Sequence, residues 1–199
     1  MMPFEIIMAP ADIYLAYEGE PFPAIDAAPT GNWMPLGTAG KRNQSEKGVI
    51  ITHGQTLKEH FTTGSSGPVK VVRTGESLSI SVEIEDMTLE QYAKALNGMG
   101  LGSIAQGSGV AGAKTMPMRQ GIDVTTFALL IRSYSPYGDG MNFQYQIPKV
   151  YQSSSPKVMF DGNGSAATLA LEYKALEDPN ADSDSLRFGL LIAQTSFAQ

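Results

Sequence analysis

Residues 77–98, SLSISVEIEDMTLEQYAKALNG, change their period halfway with no loop between the two halves. Leu78, Ile80, Val82 and Ile84 alternate with Ser79, Ser81, Glu83 and Glu85, the pattern of a strand with one buried and one wet face. At Thr88 the spacing becomes helical. Leu89, Tyr92, Ala93 and Leu96 form an apolar stripe, Thr88 and Gln91 stand at capping-box spacing, and Asn97-Gly98 supplies a helix stop, so the sequence predicts a helix over about 88–97. A chain containing this junction must provide a core for one strand face and a place for a helix directly behind it.

The rest of the regular structure reads as strand. ADIYLAY (11–17), GVIITHG (48–54), PVKVVR (68–73), SLSISVEIE (77–85), VTTFALLI (124–131), FQYQIPKVY (143–151), ATLALEYKA (167–175) and SLRFGLLIA (185–193) are bounded by Gly, Pro, Asn and Asp. Short strands with one helix predict a mainly β protein, an antiparallel β-sandwich or open barrel flanked by that helix. Three long loops are expected, at 18–47, 98–117 and 133–142. The even spread of apolar residues over 199 positions favours a single domain, 1–199.

Chemistry is sparse. With no cysteine, disulfides, thiolate metal sites and thiol nucleophiles are excluded. His53 and His60, with Glu59 between them, lack the spacing of a metal site. GSGVAG (107–112) matches a dinucleotide fingerprint by letter, but it follows a helix and precedes Ala113-Lys114-Thr115-Met116-Pro117, whereas the mechanism needs a strand before and a helix after. DPNADSD (178–184) opens like a calcium loop and then places Ser183 where glycine is required and Gly189 where a bidentate glutamate belongs. Asp161-Gly162-Asn163-Gly164 is turn chemistry. The expectation is therefore a non-enzyme with no catalytic residue, metal or cofactor. MMPFEIIMAPADIYLAY, lacking a basic residue and interrupted by Pro3, Glu5, Pro10 and Asp12, resembles neither a signal peptide nor a membrane span, which predicts a soluble protein with no membrane partner.

Charge is divided along the chain. Residues 41–73 carry Lys41, Arg42, Lys47, Lys58, Lys70 and Arg73 against Glu46 and Glu59, a net of +4, so the remainder sums to −10 within the total of −6. Acids dominate 1–40, 76–90 and 177–184. Basic and acidic segments on one chain can meet head to tail on neighbouring copies, giving rings or filaments; solvated faces are the plainer alternative.

The order of these features resembles the tail tube (major tail) proteins of long-tailed bacteriophages: ADIYLAY, NWMPLG leading into a basic loop and GVIITHG, VRTGESLSISVEIEDMTLEQYAKALNG, FALLI, a Pro-Gly hairpin, and DGNGSAATLALEYKALEDP. The resemblance spans about residues 10–180 and rests on strands, the sheet-to-helix junction and turns; the Gly-rich 98–117 stretch has no counterpart in it. It implies a β-sandwich subunit with one helix, six of which close a ring, and stacked rings that conduct DNA from the capsid. It implies a virion location after assembly in the host cytoplasm, and partners that include further copies and the tape measure, tail terminator and distal tail proteins. By position, a loop at about 37–70 reaches the neighbouring ring, which assigns Lys41, Arg42, Lys47, Lys58 and Lys70 to inter-ring contact. The Ser79, Ser81, Glu83 and Glu85 face is then expected to line the lumen, where small polar and acidic side chains let DNA pass without specific binding. Two other classes compete: a related ring component (tail terminator, baseplate hub or secretion tube), and a carbohydrate-binding sandwich using Trp33, Tyr134 and Tyr137 as aromatic platforms.

Overall fold

The computed structural model describes residues 10–96, 101–105, 107, 109, 111–160 and 166–197. The expected helix stop at Asn97-Gly98 and the turn at 161–164 lie outside the described residues, as do residues 1–9. The elements are β1 (Asp12–Tyr17), β2 (Met34–Pro35), β3 (Gln44–His60), β4 (Lys70–Ile84), α1 (Leu89–Ala95), β5 (Gly102–Ile104), β6 (Ala113–Thr115), β7 (Thr126–Tyr134), β8 (Asn142–Gln152), β9 (Lys157–Met159), β10 (Thr168–Ala175) and β11 (Leu190–Ala193). The protein is mainly β and antiparallel, as expected, with one α-helix among the described residues. Nine strands form one ladder in the order β2-β1-β7-β8-β10-β4-β3, with β11 on β8 and β9 on β10, while β5 and β6 pair separately inside the stretch expected to be loop.

The alternation of β4 is realised in full, with Leu78, Ile80, Val82 and Ile84 buried and Ser79, Ser81 and Glu83 on the opposite face. These residues share one core with Ile13 and Leu15 of β1, Leu129 and Ile131 of β7, and Leu169, Leu171 and Tyr173 of β10. Strands from both ends of the ladder thus face one another. Side-chain bonds bridge the two ends: Gln44 Nε2 donates to Ala11 O at 2.9 Å, and Lys41 N–H to Asp12 Oδ1 at 3.0 Å. The sheet is therefore curled over its core without closing into a barrel.

Phe127–Ile131 are all buried because β7 is covered on both faces. Its outer face packs Ala128 and Leu130 against Ala16 and Trp33, with the Phe22 ring tilted over Trp33 at a centroid distance of 5.1 Å. The strap over residues 18–33 is held by its own backbone carbonyls. Trp33 Nε1 donates to Pro21 O at 3.0 Å, Gln144 Nε2 to Pro23 O at 3.1 Å, Arg132 Nη2 to Ala24 O at 3.1 Å and Asn142 Nδ2 to Ile25 O at 2.7 Å. A long loop can lie over a sheet only when its polar groups find partners in this way.

β10 and β11 occupy one lane beside β8. Ala175 pairs with Val150, the Leu176 N–H bonds Lys149 O at 2.9 Å, and after a detour the lane resumes with Leu190 opposite Gln146. The detour is closed at its root by the Asp178 N–H bonding Arg187 O at 2.9 Å. Gly189 re-enters with φ +114°, where an added Cβ would lie 2.0 Å from Gln146 O, so only glycine permits this approach.

Candidate assembly surface

β3 and β4 continue well past the sheet. They pair from Val49↔Val82 to His60↔Lys70, with Thr74 as an extra residue where the register moves from Thr56↔Gly75 to Leu57↔Arg73. β10 pairs with β4 only over 79–84, so, among the described residues, 70–77 have β3 on one edge and no strand on the other. At about 3.3 Å per residue the ribbon projects on the order of 25 Å. It is an arm. Leu57, Phe61, Val69, Val71 and Val72 are 49–56% exposed along it. A two-stranded ribbon is marginal by itself, and an open edge carrying exposed apolar side chains is a template for another chain. The expected separate strands at 68–73 and 77–85 are thus one strand, and the strand expected to stop at residue 54 runs to 60.

Ser79, Ser81 and Glu83 share a face with Thr52 and Ile50 across β3 and with Lys174, Glu172 and Ala170 across β10. Glu85, expected on this face, follows the end of β4; it is exposed, and its N–H bonds Asn43 O at 2.7 Å. The expected excess of acid is also offset. Lys47 Nζ lies 2.6 Å from Glu83 Oε2, and that bond, with a further one from Thr168, holds the Glu83 carboxyl below its ordinary pKa.

The strand-to-helix junction is anchored differently from expectation. Thr88 occupies the N-cap position of α1 without a side-chain capping bond. Gln91 does not reach back to it; its Oε1 accepts the Gly37 N–H at 3.0 Å. Asp86, only 6% exposed, accepts the Thr38 N–H at 2.6 Å and the Thr88 N–H at 3.0 Å. Burial pushes the Asp86 carboxyl up, but its bonds from Thr38 and Thr88 outweigh that and hold it below the usual carboxylate range. Lys94 Nζ donates to Pro35 O at 2.9 Å, and burial lowers its pKa. These bonds clamp the segment 35–38 onto the helix and so place the 3₁₀ turn Gly40–Asn43 that follows.

The five expected inter-ring residues do not form one patch. Lys41 is engaged inside the chain, 3.6 Å from Asp12 and 5.6 Å over the Tyr134 ring, with exposed Arg42 beside it. Lys47 belongs to Glu83. Lys58 and Lys70 lie near the end of the arm, with Lys70 opposite His60. The exposed apolar residues of the arm were not singled out by sequence reasoning; the available signal was PVKVVR, an apolar run interrupted by lysine with no alternation to place it against a core. His53 and His60 fall on opposite faces of β3, since their separation is odd, and so cannot converge on one ion. Among the described residues no cluster of three or more His, Asp or Glu could hold a metal, and no helix is long and apolar enough to cross a membrane. Trp33, expected as an exposed platform, is 5% exposed beneath Phe22, whereas Tyr134 and Tyr137 are open to solvent.

No family model matches this chain, and no curated protein does. Among solved structures, a chain of the anti-feeding prophage (AFP) baseplate, 6-fold symmetrised, aligns at TM-score 0.52 and 9% identity over 88% of this chain and 95% of that one. A chain from the tail of an empty GTA particle aligns at 0.40 and 12% identity over 96% of each. A type six secretion system protein aligns at 0.37 and 14% over 83% of this chain and 80% of that one. The first shows a shared fold; the two below 0.5 carry no weight of their own.

Proposed function

We propose that the chain, read over 1–199 as one unit, is a structural subunit that joins copies of itself into rings stacked as a tail-type tube. The observation that carries this reading is the β3–β4 arm, which among the described residues presents an unpaired backbone edge and exposed apolar side chains. The fold shared with a chain of a six-fold symmetrised baseplate supports it. In this reading the subunit resides in a virion tail after assembly in the host cytoplasm, contacts tape measure, terminator and distal tail proteins, and conducts DNA without holding it.

Ser79, Ser81 and Glu83 are assigned to the lumen. Their face is small and polar, and with Lys47 paired to Glu83 it is close to balanced rather than strongly acidic. A balanced wall still lets the duplex slide, because tight retention requires many unpaired cations on phosphates. Lys58 and Lys70, rather than the engaged Lys41 and Lys47, are assigned to contact between copies.

A ring component that stops at one layer is the second reading, favoured by the baseplate origin of the structure that shares this fold. Light scattering and electron microscopy of the concentrated protein test both. Tubes of open-ended length support the first reading, single rings the second, and a strictly monomeric protein overturns both.

A further inference from the structure

The arm leaves a cleft at its root. Below Ser79, β4 diverges from the lane that β11 occupies, and the space between them, of about 480 Å³, is walled by Tyr145, Phe188, Leu190 and Leu191 on one side and by the paired Arg73 and Glu76 of the arm on the other. Among the described residues both sides present open backbone edges: β4 over 70–77 pairs only with β3, and β11 pairs only with β8. We propose that this cleft receives the arm tip of a second copy of the chain. The proposal rests on the assembly reading above and names the surface that takes the arm.

The occupant follows from complementarity. The tip carries Phe61, Val69 and Val71, each about half exposed, which match the apolar β11 side of the cleft, where one of Leu190 and Leu191, 45% and 47% exposed, turns inward. Lys58 and Lys70 flank the tip. The detour that borders the cleft through Ser185 and Phe188 holds Glu177, Asp178, Asp182 and Asp184 against Arg187 alone, a net of −3. Arg187 is itself shared between Glu177 and Asp184, and Asp178 Oδ1 accepts the Asn180 N–H at 2.9 Å, so the detour keeps its net negative charge beside the cleft. A chain does not fill its own cleft, because the cleft runs along the arm only from Leu78 to Arg73, and the paired ribbon carries Phe61 and Val69 onward beyond it. Tip and cleft are different patches, so the contact is heterologous and repeats from copy to copy, closing as a ring or running on as a filament.

A chain without cysteine makes the test clean. Phe61→Cys is mixed, under mild oxidation, with Leu190→Cys or with Leu191→Cys, whose side chains point to opposite faces of β11. The expected result is a reducible dimer in one of the two mixtures and in neither single variant alone. Adding Lys58→Glu with Lys70→Glu to the tip should reduce its yield about tenfold, and Asp182→Lys on the cleft partner should restore part of it. If the wild type assembles and neither mixture cross-links, the tip-to-cleft contact is wrong while the assembly reading survives. If the wild type stays monomeric at every concentration, both fall.

Discussion

Replacing Asp86 with alanine removes one small side chain and two long-range or junction-forming bonds. The carboxylate is almost fully buried and accepts from the Thr38 and Thr88 N–H groups, both partly buried, at 2.6 and 3.0 Å. Losing a hydrogen bond to a charged acceptor costs about 1.5–3 kcal/mol when the donor is left without a partner. Water reaches partly buried donors in part, so the lower end applies to each, and Asp86→Ala should cost about 3 kcal/mol in all. With a urea slope of about 2 kcal/mol/M, the unfolding midpoint should fall by roughly 1.5 M. Asp86→Asn keeps the shape but turns an NH₂ toward one of the two donors, so its loss should be about half as large. The pH dependence has a defined sign. The folded-state pKa is depressed, so the stabilisation is present above the unfolded pKa and is lost as pH falls through the folded value. The gap between wild type and Asp86→Asn should therefore be widest at neutral pH and narrow on acidification below about pH 4. Chemical unfolding of the unassembled protein at several pH values measures this. An Asp86→Ala midpoint within about 0.3 M of wild type would refute the idea that this carboxylate anchors the junction.

Gly189→Ala should drive its Cβ into Gln146 O and detach β11, seen as lost hydrogen-exchange protection over 190–193 and a destabilisation above about 2 kcal/mol. Tyr173→Phe should be neutral or stabilising by about 1 kcal/mol in denaturant titration, because the Tyr173 hydroxyl is fully buried without a hydrogen-bond partner among the described residues. Glu83→Lys with Glu85→Lys should cost about 1 kcal/mol, since Lys47, the exposed half of the Glu83 pair, can turn into solvent away from the new lysine, yet assembled tubes should retain duplex DNA that wild-type tubes release; equal release would place this face away from the channel. Assembly yield should fall as salt rises, because the charges on arm and detour are exposed; a flat yield from low to high salt would remove them from the contact.

The parts of the fold legible in the sequence are those where one face meets a core. Leu78, Ile80, Val82 and Ile84 announce their strand by alternation, and FALLI reads as buried because both of its faces are covered. The arm was only partly legible for the opposite reason. Past Leu78 neither face is buried, so composition no longer alternates, and pairing continues through backbone bonds that side chains do not report. Gln91 shows a different limit. Its spacing from Thr88 suits a capping box, but Gly37, remote in sequence, supplies the donor that it takes. Trp33 shows a third: position in a loop suggested exposure, while Phe22 and the carbonyl of Pro21 cover it. The cleft depends on how far β4 diverges from β11, a tertiary angle that no local spacing encodes.

The ladder order also sets a sequence of events in time. β3 and β4 are joined by residues 61–69 alone and can zip early, as neighbouring strands of a hairpin do, whereas Tyr14 must find Leu130 before β1 can join β7. Closing that long loop carries its entropic cost before any contact rewards it. The arm is thus among the earliest parts of the molecule to form. The cleft comes late, because it needs β8 and β11 seated in their lanes. A newly made copy therefore carries a finished plug well before it has a finished socket, and the slow arrival of the distant strands meters out how quickly new copies become able to receive the next one.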